Sequence, residues 1–169
     1  MFPSEFISKL ESNKDVFKSL FQGLSKEEIV WKPQQDKWCL LEILCHLYDE
    51  EREDFRARLK HTLEMPEQPM PKIDPQGWVA ERKYIERNFE QMLMKFNDER
   101  DQSVKWLKSL SSPQWKNIHH HPNAGELSAE MFLSNWLAHD YLHFRQITLT
   151  KYQYLTSHFP TRYDYAGNW

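Results

Sequence analysis

This sequence predicts an all-α fold, a four-helix bundle, on three observations. The 169 residues contain only four glycines. Apolar residues recur at helical rather than alternating spacing. Proline- and serine-rich breaks divide the chain into four long amphipathic segments, which together suffice for a bundle. The length suits a single domain, residues 1–169, with one substantial core.

The first helix is expected over about Ser4 to Phe21. Phe6, Leu10, Phe17, Leu20 and Phe21 form its apolar face, and Ser4 after Pro3 is its candidate cap. In the connector "GLSKEEIVWKPQQDKW", "SKEE" resembles a capping box opening a short turn that Pro33 breaks. The second helix covers roughly Leu40 to Leu63 and ends at the proline-rich "MPEQPMPKIDPQG". The third spans about Trp78 to Leu110, with Trp78, Ile85, Phe89, Met92, Phe96, Val104 and Leu107 at helical spacing. After the loop "QWKNIHHHPNAGE", the fourth runs from about Leu127 to Tyr152 or beyond, and the aromatic tail is expected to pack on something.

The link between helices two and three decides the possible topologies. About 14 proline-rich residues can span roughly 45 Å when extended, whereas a helix of about 24 residues is roughly 36 Å long. The link can therefore cross the bundle and make helices two and three parallel. An up-down-down-up order is allowed, and up-down-up-down is not excluded.

Composition rules out several function classes. A net charge of −3 gives no basic field for capturing nucleic acid. Mean hydropathy is −0.80, and no apolar run approaches a membrane span. "MFPSEFISKL" lacks the layout of a secretory signal. Cys39 and Cys45 fall on different parts of one helix surface, so a mutual disulfide is not expected and a reducing cytoplasm is.

The chemistry concentrates in "WLAHDYLHFRQI", residues 136–147, where His139 and His143 stand four apart. At 100° per residue, Phe132, Trp136, Leu142 and Ile147 cluster on one side, with His139 near the middle and His143 about 40° away. Glu130, Asp140 and Arg145 fall outside that sector. Two inward imidazoles with Cβ atoms roughly 5–6 Å apart can share one ion at metal–nitrogen bonds of about 2.0–2.1 Å. They can equally be two buried histidines satisfied by carbonyls or carboxylates.

A third ligand would come from another helix, and His46 in "LLEILCHLYDEERE" is the candidate. The apolar stripe of Leu40, Leu44, Leu47, Tyr48 and Phe55 is centred away from it, so periodicity leaves His46 on a flank. Glu51 lies within that stripe and must be paired or face a pocket; Arg58, seven residues on, is the expected partner. His119, His120 and His121 occupy a loop and are expected to be solvated. His61 and His158 have no supporting pattern.

The ordered set "KWCLLEILCHLYDEE", "RL" at 58–59, "DPQGW" with "ERKY", and "HHPNAGELSAEMFLSNWLAHDYLHFRQI" resembles the DinB family, the DinB/YfiT-like metalloenzymes. The resemblance covers nearly the whole chain. It implies an up-down-down-up bundle, a homodimer, and one divalent ion (Zn, Ni, Fe or Mn) held by His46, His139 and His143 with remaining positions left to water.

Such a site activates a thiol or water. Resemblance slightly favours transfer of a low-molecular-weight thiol such as bacillithiol, mycothiol or glutathione to an electrophile. A metal-dependent hydrolase with Glu50 or Glu51 as base is the alternative. A non-catalytic, stress-associated metal-binding bundle is the third reading.

Overall fold

The computed structural model describes residues 2–167. Its elements are α1 (Pro3–Leu20), α2 (Lys26–Val30), α3 (Leu40–Asp49), a π-helical stretch (Glu50–Phe55), α4 (Arg56–Glu64), α5 (Trp78–Glu81), a 3-10 turn (Tyr84–Glu86), α6 (Phe89–Ser109), β1 (Ile118–His121), β2 (Gly125–Ser128), α7 (Ala129–His158) and a terminal 3-10 turn (Asp164–Ala166). Four long helical rods carry the architecture: α1, the continuous α3–π–α4 rod, α6 and α7.

Side-chain pairs give each rod its direction. Phe17 meets Phe96 and Phe21 meets Phe89, so α1 and α6 are antiparallel. Asn13 pairs with Asp140 and Lys151 with the Leu20 carbonyl, so α1 and α7 run parallel. His46 meets His143 while Phe55 stacks on Trp136, so the α3–π–α4 rod opposes α7. The order is up-down-down-up, with residues 65–77 as the crossover. Both α1 and α3 pack on α6 and on α7, which places them diagonally across the bundle.

Local chemistry sets the ends. Ser25 caps α2 by accepting from Glu28 N–H at 3.1 Å, as "SKEE" predicted. Ser4, the expected cap of α1, lies inside that helix instead. Pro3 takes the first helical position, and Glu5 reaches back to the Phe2 N–H. The expected third helix is broken: Lys83 adopts φ 49°, and α6 begins only at Phe89 under an Asn88 cap bonded to Gln91 N–H at 2.9 Å. An Asn with Gln three residues later is a helix-start signature that the periodic apolar residues hid.

The expected loop before α7 contains a β-hairpin, in which Ile118 pairs with Ser128 and His121 with Gly125. Its turn is clasped by His121, whose Nδ1 accepts from the N–H groups of Asn123 and Ala124 at 3.2 and 3.1 Å. Gly125 closes the turn at φ 76°, a conformation costly for any side chain.

Apolar packing fills the bundle in two layers. One holds Phe17, Leu40, Ile43, Leu44, Phe96 and Ile147; the other Leu10, Leu59, Leu107, Leu133 and Trp136. Each such side chain contributes about 1.5–3 kcal/mol by leaving water. Cys39 and Cys45 are both buried free thiols. The tail folds back on the end of α7, with the Tyr163 hydroxyl donating to the Phe159 carbonyl. No helix among the described residues is long and apolar enough to cross a membrane.

Candidate metal centre

His46, His139 and His143 converge. One nitrogen from each lies within 4.8 Å of the others, and among the described residues they form the one such group of metal-capable side chains. The Nε2 atoms of His139 and His143 are 3.0 Å apart. The His46 ring centroid is 5.4 Å from that of His139 and 5.0 Å from that of His143. Trp38 packs on His46 at 4.8 Å, and Phe55 packs on His139 at 4.9 Å.

His46 sits on the flank of the apolar stripe and is nonetheless buried, at 5% exposure. Every residue of α3 from Leu40 to Leu47 is buried, because α2, α5, α6 and α7 all pack around it. A helix enclosed on all sides has no single inward stripe to read.

On α7 the inward sector is rotated from the one expected. Leu142 is 57% exposed, whereas Asp140, expected outside, is fully buried. His143 is buried and His139 half-buried at the edge of the sector.

Asp140 is buried because it answers Arg100. The Arg100 guanidinium grips Asp140 through two 2.8 Å bonds, donates from Nε to Glu51 at 2.9 Å, and donates to the Leu10 carbonyl at 3.0 Å. Asn13 donates to Asp140 at 2.9 Å and the Trp136 indole N–H to Glu51 at 3.0 Å. Burial opposes the charge on Arg100, but the two carboxylates outweigh it and move its pKa up.

Glu51 therefore pairs with Arg100 and Trp136, not with Arg58. Arg58 instead faces Asp54 at 2.8 Å. Both Glu51 oxygens are committed to this network, which ties all four rods together.

The histidines are neutral. Burial pushes all three imidazoles far below the ordinary 6.5, His46 to about 3, His139 to about 2 and His143 to about 4. Repulsion from His143 adds to the effect at His46 and at His139. The Nδ1 atoms of His46 and His143 are buried without a hydrogen-bond partner. Unprotonated imidazole nitrogens gathered within 4.8 Å of one another fit a divalent cation.

Glu50 differs from Glu51. Its N–H bonds the His46 carbonyl, one α-turn back, so the two side chains share a helix face. Its Oε1 is buried and unpartnered. Burial, then the Asp54 carboxylate, raises its pKa well above 4.5.

Folded Glu50 thus binds its proton more tightly than unfolded Glu50. Its stabilising contribution is complete below pH 4.5 and is lost as pH rises through the folded value. Glu50→Gln should remove this loss in the metal-free protein. The variant gains on the wild type by up to about 1.4 kcal/mol per pH unit across that window. Urea midpoints measured against pH check it, and parallel profiles for the two proteins would refute it.

A π-helical turn begins at Glu50 itself. The i→i+5 spacing inserts a wide turn, of the kind often found at functional sites, and Glu51 and Phe55 within it are both buried.

The loop histidines do not join this centre. His119 is buried, and its Nδ1 lies 2.8 Å from the Pro66 carbonyl; His121 clasps the hairpin turn. His61 also holds the crossover, through the Gln68 carbonyl at 2.9 Å.

The family model described as the DinB superfamily matches residues 9–147, most of the chain. The protein belongs to the DinB superfamily. Among solved structures, this DinB protein is similar to YfiT from Bacillus subtilis, described as a probable metal-dependent hydrolase with an unusual four-helix bundle topology. The TM-score is 0.79 at 17% identity, covering 89% of this chain and 86% of YfiT, a likeness of fold. No curated protein sequence matches the chain.

Proposed function

We propose that this DinB protein is a metal-dependent enzyme that holds one divalent ion on His46, His139 and His143 and uses water as its nucleophile. When bound, a divalent cation supplies Lewis-acid chemistry that lets water or a thiol ionise near neutral pH. The observation that carries the hydrolytic reading is Glu50, one turn after His46, with a buried and unpartnered Oε1. A carboxyl group raised in pKa and free at one oxygen can take or give the proton of the attacking molecule at that atom. Glu51 is not assigned this role, because Arg100 and Trp136 occupy both of its oxygens.

The other residues position. Trp38 and Phe55 hold the His46 and His139 rings and keep bulk water from them. Arg100 holds Glu51 and Asp140 in ion pairs, and burial keeps the three histidines uncharged. Three neutral ligands suit Zn, Ni, Fe or Mn.

Thiol transfer is the second reading, supported by the same aromatic walls, which suit an apolar electrophile beside a bound thiol. Protein purified without an affinity column should carry one equivalent of divalent ion by elemental analysis. It should hydrolyse ester or amide substrates until chelated. Glu50→Gln should lower kcat by about 10²-fold or more while metal content is unchanged. Turnover that requires a low-molecular-weight thiol would replace hydrolysis with thiol transfer. Unfolding on chelation with no turnover of either kind would leave a structural metal.

A further inference from the structure

A cleft of about 400 Å³ opens on another face of α3, between that helix, the stretch from Arg82 to Arg87, and α6. Four cations line it, Arg52, Arg82, Arg87 and Lys95, against two carboxylates, Asp49 and Glu53. This excess of two positive charges stands out in a chain of net charge −3.

The carboxylates are already used. Arg82 bonds Glu53 at 3.0 and 2.7 Å and meets Asp49 at 2.8 Å. Arg52 reaches both acids through one terminal nitrogen, and the Tyr84 hydroxyl donates to Asp49 at 2.7 Å. Two cations therefore remain without an acid. Arg87 spends Nε and Nη2 on the Arg82 carbonyl, at 3.0 and 2.8 Å, and has no carboxylate partner. Lys95 has no hydrogen bond or ion pair among the described residues. The Nε of Arg52 is buried and also unpartnered.

We propose that this cleft binds a compact dianionic oxyanion, a phosphate monoester or a short dicarboxylate, at a site separate from the three histidines. Charge sets the class, since two unmatched cations balance two negative charges. Geometry agrees, because Arg87 keeps Nη1 and Lys95 keeps its whole ammonium group as charged donors for the oxygens of phosphate or carboxylate. Arg82 is held flat over Trp78, at 4.2 Å from the ring, and Arg52 over Tyr48 at 4.6 Å. These stacked guanidinium groups fix the wall of the cleft, and Arg87, tied to the Arg82 carbonyl, is positioned on it before any ligand arrives.

The site binds and does not react. Its one thiol, Cys45, donates from Sγ to the Tyr84 carbonyl at 3.9 Å, and burial pushes its pKa up to about 12. Separation from the histidine centre follows from the helix: Cys45 and Asp49 face α6 and the Arg82–Arg87 stretch, while His46 faces α7.

The test titrates the full chain at low salt with inorganic phosphate, and in parallel with succinate, by calorimetry. Saturable one-site binding is expected for at least one probe, with Kd below about 1 mM. The double variant Arg87→Gln, Lys95→Gln should weaken it at least tenfold; both side chains are exposed, and circular dichroism confirms that the fold is kept. Preference for phosphate assigns a phosphate monoester, and preference for succinate assigns a dicarboxylate. Absence of saturation with both probes overturns the proposal, as does binding that the double variant leaves intact. Equal competition by chloride at matched ionic strength also overturns it. Binding lost in His139→Ala would place the anion at the histidines and overturn it too.

Discussion

Arg100→Met should lower the unfolding free energy by about 3–5 kcal/mol, because it strands two buried carboxylates. Glu51 and Asp140 are 1% and 0% exposed, so water cannot replace the guanidinium. The Leu10 carbonyl also loses a donor. The measurement is a shift in urea midpoint at unchanged slope. Adding Glu51→Gln and Asp140→Asn to Arg100→Met should recover part of the loss, since the stranded charges are then gone. A midpoint shift worth under about 1 kcal/mol would mean that the network behaves as a surface ion pair, contrary to its burial.

His139→Ala should weaken metal binding by more than about 10²-fold, since even the outer partners of a metal site are worth 10–100-fold. It removes one of three donors and leaves His46 and His143, whose ring centroids are 5.0 Å apart, as an incomplete pair. Competition against a chromophoric chelator measures the affinity, and elemental analysis the stoichiometry. Full stoichiometry and unchanged affinity in the variant would remove His139 from the ligand set.

The bundle was legible because its signals are long. Four apolar periodicities and a crossover long enough to span a helix define the rods, and similarity to the family selected the up-down-down-up order that the side-chain pairs display. Shorter features were lost. The hairpin has two four-residue strands, one of them mostly histidine, and its only conventional sign is a turn ending in Gly125. The start of α6 at Asn88 was masked by apolar residues that continue in helical spacing across the break.

The site was legible in part for a different reason. His139 and His143 could be paired from sequence, but the buried polar network could not. A helical wheel sorts residues by apolarity, so it sent Asp140 outward and kept Leu142 inside. Asp140 is inside because of Arg100, a residue 40 positions away on another helix. The same lack of information about neighbours assigns Glu51 to Arg58, the cation on its own helix face, instead of to Arg100 on α6. His46 was misjudged by a wheel that assumes one wet face, where α3 has none between Leu40 and Leu47.

The wide turn at Glu50–Phe55 shifts the rotational phase of the second rod partway along its length. Upstream of it, the helix is oriented so that His46 looks toward α7. Downstream, it is reoriented so that Phe55 lies against both His139 and Trp136. A regular helix carries one rotational setting along its whole length, and a change made at one end is felt at the other. Here the phase changes within the rod, and Phe55 at the end of the turn touches a candidate ligand and the core at once, so a substitution at that position reaches both.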